Sequence, residues 1–171
     1  MTTETITDQY CFFIGGFLSQ WYHSEFEVDG IIFPTAEHYM MYRKAKLFLD
    51  LPIMDQILFT KSPREAKHLG RAVRNFNQRK WDRQKLSIVQ EGNRLKFEQN
   101  HDLRMRLMAI PSHVLIVEAS PTDKVWGIGL SVESALIVPQ ERWPGENLLG
   151  VVLTNLKNEF LGDAGLNEDI E

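Results

Sequence analysis

The spacing of apolar and polar positions along this chain changes period several times, and each change marks an element. From Phe26 to Phe33 the run FEVDGIIF reads as two short strands around an Asp-Gly turn, a dipeptide that accepts the positive φ values of a tight hairpin. Thr35 then stands as the cap of a helix, with Glu37 in the first turn, where a carboxylate suits the helix dipole. A second start follows at Ser62-Pro63-Arg64-Glu65, with a capping serine, a proline at the first helical position and a glutamate at the third. Helices are also predicted from about Asp82 to Gln99, and from Asp102 to Ala109, where Pro111 stops the run. His113 to Val117 (HVLIV) is a β-branched run expected to be a buried strand, and a turn-rich loop, Ser120 to Gly129, leaves it. The last helix carries an apolar stripe at Leu149, Val152, Leu153, Leu156 and Phe160. Many helices with few strands predict an α+β fold, predominantly helical with a small sheet.

One helix breaks its own pattern. At 100° per residue Glu37, Met40, Met41, Lys44 and Phe48 share a face, so a carboxylate and an ammonium sit on an apolar stripe. Burying either without a partner costs several kcal/mol. The two are separated by two turns, about 10 Å, too far for direct neutralisation. Two readings are open: they flank a ligand, or the lysine snorkels outward while the glutamate serves the helix dipole. Asn93 likewise shares a face with Leu86, Val89 and Phe97, where an asparagine more often satisfies backbone than ligand. The loop Ala119 to Gly129 carries Asp123, Trp126 and Gly127, and an aromatic beside glycines can stack a base against exposed backbone. Its Gly127-x-Gly129 lacks the third glycine of a dinucleotide fingerprint.

Composition sharpens this picture in three places. The 171 residues suit one domain, with no repeat and no Pro/Gly/Ser linker. Cys11 is the only cysteine, so no disulfide or thiolate cluster forms within the chain, and a reducing, cytoplasmic setting is expected. No apolar run is long enough to cross a bilayer, so no membrane partner is expected. Charge is uneven: between Lys61 and Lys85 nine basic residues face two acidic ones, leaving −11 on the rest of a chain of net charge −4. Such a segment suits a local anion such as phosphate, with Arg71 or Arg74 as the bidentate grip, or simply a solvated basic face. Trp81 ends the segment, and an aromatic beside cations suits a nucleotide or, equally, a core. The five histidines lack metal-ligand spacing, and HExxH, Walker A and G-x-S-x-G sequences are missing, so no metal or redox cofactor is called for.

Five segments in order carry a family resemblance. FLSQWYHSEFEVDGIIFPTAEHYMMYRKAKLF, SPREAKHLGRAVRNF, KWDRQKLSIVQEGNRLKFEQN, VEASPTDKVWGIGL and ENLLGVVL together resemble the NADAR family, whose bacterial members are YbiA-like proteins. The resemblance spans about Phe12 to Leu161. It frames the chain as a polar segment 1–11, a YbiA-like domain 12–162 and an acidic, disordered tail 163–171. It implies an N-glycosidase cleaving the bond between ribose phosphate and an exocyclic amine of a base. The implied substrates are early riboflavin intermediates, which are ribosylamino-pyrimidine phosphates, or ADP-ribosylated guanine. Nucleic acid then enters only as a modified substrate, and an inactive NAD- or ADP-ribose-binding module is the third possibility. By motif, the resemblance implies Glu37, Lys44 and Asp123 as catalytic residues. Ser19, Trp81, Trp126, Gly127 and Asn147 fall in its motifs as substrate-binding positions, beside Asn93, Arg71 and Arg74. Departures are Gln20 and Trp21 for the usual Asn and Phe, and Arg43 for a frequent Gln before the lysine. With these residues a lysine of depressed pKa could attack C1 of the opened glycosylamine, or a carboxylate could activate water directly.

Overall fold

The computed structural model describes residues 4–168 of the chain. In chain order the strands and helices begin with β1 (Glu4–Ile6), β2 (Tyr10–Phe13), β3 (Phe26–Val28) and β4 (Ile31–Phe33). Four helices follow, α1 (Ala36–Leu47), α2 (Leu51–Phe59), α3 (Pro63–Arg71) and α4 (Gln78–Gln99). The remainder are α5 (His101–Met108), β5 (Leu115–Glu118), α6 (Val132–Ala135) and α7 (Leu148–Glu168). The fold is α+β, as the pattern predicts. Contacts divide it into two compact units, one formed by the two ends of the chain, up to Ser19 and from Asp102 onward, the other by Gln20–His101. No composition shift announces this division.

In the Gln20–His101 unit, β3 and β4 form the expected hairpin, with Asp29 and Gly30 at φ 52° and 79°. Thr35 caps α1 by accepting from the His38 N–H, and Ser62 caps α3 by accepting from Glu65. The long helix starts earlier than its apolar pattern suggests, because Asn77 caps it through the Lys80 N–H. α2 has no counterpart among the predicted elements, although Asp50 and Pro52 mark a helix start and Ile53, Met54, Ile57 and Leu58 share a face; of its nine residues only Ile57 is buried. α1 is the centre of the unit, packed against α2, α3, α4 and β4. It is therefore buried almost all round over its first two turns rather than along one stripe. Phe33 meets both Tyr39 and Tyr42 with ring centroids 5.2 and 5.3 Å away, and Phe26 closes the cluster. Each such ring contributes roughly 1.5–3 kcal/mol on burial.

In the other unit the sheet order is β1-β2-β5, with β1 antiparallel and β5 parallel to β2. Within the expected polar segment 1–11, Glu4–Ile6 makes a sheet edge, where solvent-facing polar residues are at home. β2 supplies the buried Cys11, Phe12 and Phe13. The connection from β2 to β5 runs over residues 14–114 and contains the whole Gln20–His101 segment. α7 lies on β5 and buries all five residues of its predicted stripe. It also runs on to Glu168, into the expected tail, because no proline stops it; residues 169–171 lie outside the described ones.

The free edge of β5 is closed by side chains. Thr154 accepts from the Ile116 N–H at 2.9 Å, while Asn147 accepts from the Glu118 N–H and donates to the Ile116 carbonyl. Gly150 makes this possible, since a Cβ there would stand 2.2 Å from the Ile116 carbonyl oxygen and 2.4 Å from the Asn147 amide. Gly150→Ala should therefore destabilise the fold by about 1–3 kcal/mol; an unchanged urea midpoint would mean that the helix does not sit this close to the strand.

Candidate active site

The first turn of α1 sets out the polar groups. Glu37 is 3% exposed, and its backbone N–H donates to the Gln20 carbonyl at 3.0 Å. His38, also buried, has Nδ1 2.8 Å from the Thr35 hydroxyl and Nε2 3.2 Å from the Thr60 carbonyl. A carbonyl only accepts, so Nε2 carries the proton and Nδ1 accepts from Thr35. The histidine is a clasp between the α1 cap and the end of α2.

Two turns on, Lys44 is half-buried among aromatic rings. Its Nζ lies 4.4 Å from the centroid of Phe76 and 5.5 Å from that of Trp81. Burial pulls the amine below its ordinary 10.5; the Arg71 guanidinium pushes the same way, and Glu37 opposes them. The two residues flagged by periodicity thus act on one another through space, with Arg71 as the third charge. Trp81 is 8% exposed, so it is mainly a core residue that offers one face to the lysine.

The other predicted residues of this unit divide by their partners. Arg74 is spent: its guanidinium makes a bidentate pair with Asp50 (2.7 and 3.2 Å), and its backbone N–H donates to the same carboxylate. That double hold pulls the Asp50 carboxyl down to about 2 and fixes the α1–α2 corner. Of the two arginines expected to grip phosphate, the structure couples Arg71 to Lys44 and gives Arg74 a structural role. Asn93 is fully buried; its Nδ2 donates to the Val89 carbonyl one turn back, while its Oδ1 has no partner. Leu86, expected on the same face, is 42% exposed. Arg43 bonds the Tyr39 hydroxyl and pairs with Glu91 of α4 at 2.6 Å, so this departure from the family pattern ties helices together. Gln20 leaves its Oε1 buried without a partner. Phe76, the last residue of SPREAKHLGRAVRNF, is the residue that the sequence pattern did not single out; only its tertiary contact with Lys44 reveals it.

In the other unit Ser19 is half-buried at the end of a short 3-10 turn, where its N–H donates to the Gly16 carbonyl. Asp123 organises the expected loop. One carboxylate oxygen, Oδ1, accepts from the Val125 and Trp126 N–H groups at 3.0 and 2.8 Å. Trp126 is half-buried, and its carbonyl accepts from Leu149 at the start of α7. Gly127 has no room for a side chain, since a Cβ would lie 2.8 Å from the Glu118 carbonyl oxygen. Ile128 is a core residue beside Phe12 and Val117. Both polar ends of the Asn147 amide serve β5. A cavity of about 250 Å³ lies along β5 and is lined by Tyr10, Trp143, Thr154 and Asn155; of the predicted residues it includes Asn147.

Cys11 is fully buried, and burial foremost pushes its thiol up to about 11, which removes it as a nucleophile. Among the described residues no three His, Cys, Asp or Glu side chains gather as a metal site, and no helix is long and apolar enough to cross a membrane.

The NADAR domain model matches residues 12–161. N-glycosidase R617 of Acanthamoeba polyphaga mimivirus is 45% identical over 166 residues, covering 90% of this chain and 97% of that protein. N-glycosidase YbiA of Escherichia coli is 31% identical over 134 residues, 78% of this chain and 74% of its own length. The NMR structure of E. coli YbiA superposes with a TM-score of 0.74 at 27% identity, covering 95% of this chain and 90% of that one. Riboflavin biosynthesis protein PYRR of Zea mays is 30% identical over 150 residues, 83% of this chain and 22% of that protein.

The His38 clasp gives a pH signature. Burial holds its pKa below the ordinary 6.5, only partly opposed by the bond to Thr60. Between the folded value and 6.5 the unfolded chain binds more protons, so stability rises with pH there. The clasp's contribution should be complete above about 6.5 and decline as pH falls through the interval below it. Denaturant titrations should show this acid decline flattened in His38→Gln; an identical decline in the variant would remove His38 as its cause.

Proposed function

The chain belongs to the NADAR domain family and is an N-glycosidase; we propose that it cleaves the bond between C1 of a ribose phosphate and an exocyclic amine, using Lys44 as nucleophile. The observation that carries this reading is the Lys44 amine, half-buried against two aromatic faces and lowered in pKa by burial and Arg71. A depressed pKa leaves more neutral amine at working pH, and the neutral amine is the attacking form.

An N-glycosylamine opens its sugar ring to an imine between C1 and the base nitrogen. Lys44 Nζ adds to C1, the base amine leaves with a proton from an acid group, and a Schiff base between Lys44 and the sugar remains. Water then adds to C1 and returns the free amine and an open-chain aldose phosphate. Glu37, buried and acting on Lys44 through space, is proposed as a proton carrier for these transfers. Asp123 is proposed as a second one, because the bonds that its Oδ1 accepts fix the direction of its carboxyl group. Arg71 is proposed to grip the substrate phosphate. Trp81 is a proposed substrate contact, and Asn93, fully buried, is proposed only as a residue of the family motif KWDRQKLSIVQEGNRLKFEQN. Ser19, Trp126 and Gly127 are proposed contacts on the strength of the family motifs alone.

Among substrates we favour ribosylamino-pyrimidine phosphates, the early riboflavin intermediates, over ADP-ribosylated guanine. A chain with −11 outside Lys61–Lys85 suits a small anion better than a polyphosphate backbone, which needs many neutralising side chains. The likeness to a riboflavin biosynthesis protein points the same way. The single buried thiol fits a reducing cytoplasm as the place of action.

Three variants test the roles. Lys44→Arg keeps the charge but cannot form the imine, so turnover should fall at least roughly 1,000-fold; near-normal turnover would make Lys44 a phosphate holder and favour direct hydrolysis. Glu37→Gln and Asp123→Asn should each cost at least roughly 100-fold, and two folded, active variants would withdraw their roles. Arg71→Ala should raise KM far more than it lowers kcat, with a dephosphorylated substrate losing the same factor in the wild type; equal efficiency on both substrates would contradict it.

A further inference from the structure

Phe76 does something that its burial does not explain. It is 41% exposed, yet one face is committed, with the Lys44 Nζ 4.4 Å from its centroid and the Phe48 ring 5.2 Å away. Trp81 stands 5.5 Å from the same nitrogen. The lysine head is thus held by two rings from different segments, one at the start of α4 and one in the turn before it. Asn75, at φ 55°, bends the backbone into a left-handed conformation immediately before Phe76. Such a conformation costs free energy for a residue with a side chain and persists where surrounding contacts hold it. The charged groups acting on Lys44 are Glu37 on its own helix and Arg71 at the end of α3. Lys80 lies beyond them, over Phe48, with its Nζ donating to the Leu47 carbonyl.

We propose that Phe76 is a positioning residue for the amine of Lys44: with Trp81 it forms a two-ring clamp that holds the head group on line for attack and supports its charged form between turnovers. This rests on the reading of Lys44 as nucleophile given above. A ring face attracts a cation through its quadrupole, whereas a neutral amine loses most of that attraction and is freed to react. Phe76 is the adjustable wall of the clamp, since Trp81 is nearly closed off while Phe76 keeps much of its surface in solvent.

The clamp has a signature distinct from simple packing. Phe76→Leu keeps apolar bulk and removes the quadrupole, so the charged form of Lys44 loses support and its pKa falls. A cation–π contact of about 0.5–1 kcal/mol corresponds to a fall of about half a pH unit. Competitive labelling of lysine amines across pH, read by peptide mass spectrometry, measures that titration without reference to activity. The expected result is a downward shift at Lys44 in Phe76→Leu, no shift in Phe76→Tyr, and a lower kcat with KM little changed in the leucine variant alone, because loss of the aligned head group outweighs the larger neutral fraction. An unshifted Lys44 titration in a folded Phe76→Leu protein, or equal loss of kcat in the leucine and tyrosine variants, would overturn the proposal. Failure of the underlying reading looks different: Lys44→Arg would keep turnover while the labelling shift in Phe76→Leu persisted.

Discussion

The burial of α1 on nearly all sides is the constraint on which the candidate site depends. A helix packed against α2, α3, α4 and β4 has no solvated face over its first two turns, so each polar residue there needs a partner inside the protein. His38 is satisfied by Thr35 and Thr60, and the Glu37 backbone by Gln20. Lys44, near the end of the buried stretch, has ring faces around its ammonium. Ring faces offset part of the desolvation of a cation but not all of it, and Arg71 adds repulsion. The amine is consequently easier to deprotonate than an ordinary lysine, which is the property that imine chemistry needs.

The unit built from the chain ends solves a different problem, the open edge of a parallel strand. Asn147 and Thr154 take over the hydrogen bonds that a further strand would make to β5. Lys157, fully buried, satisfies the carbonyls of Pro111, Ser112 and Val114 before that strand. Asp123 performs the same service for the loop after it, holding two N–H groups with one oxygen. Several family-motif positions therefore hold backbone in place, and a motif residue here is as informative about construction as about chemistry.

Much of this was legible in the sequence where local chemistry decides. The hairpin at Asp29-Gly30 and the caps Thr35 and Ser62 formed as read, because a turn dipeptide and a capping hydroxyl act over three or four residues. The stripe of α7 was readable because the helix has one buried face. α2 escaped although Ile53, Met54, Ile57 and Leu58 carry a short helical period, the Asn77 start of α4 because its first turn is polar, and β1 because an edge strand can be polar. At the site, helical spacing identified Glu37 and Lys44, since a charge on an apolar stripe is anomalous by itself. The spacing could not show that Arg74 belongs to Asp50, 24 residues away, nor that Phe76 covers the lysine. Both facts arise from tertiary contacts that no local pattern encodes.

Reductive trapping tests the covalent account most directly. Borohydride added during turnover of a ribosylamino-pyrimidine phosphate should reduce the imine and leave a permanent mass increase of one sugar phosphate on the protein. Digestion should then place that adduct on the peptide containing Lys44, with no adduct when borohydride is added without substrate. A protein that turns over the substrate under these conditions yet keeps its original mass would contradict the account and leave hydrolysis by an activated water in its place.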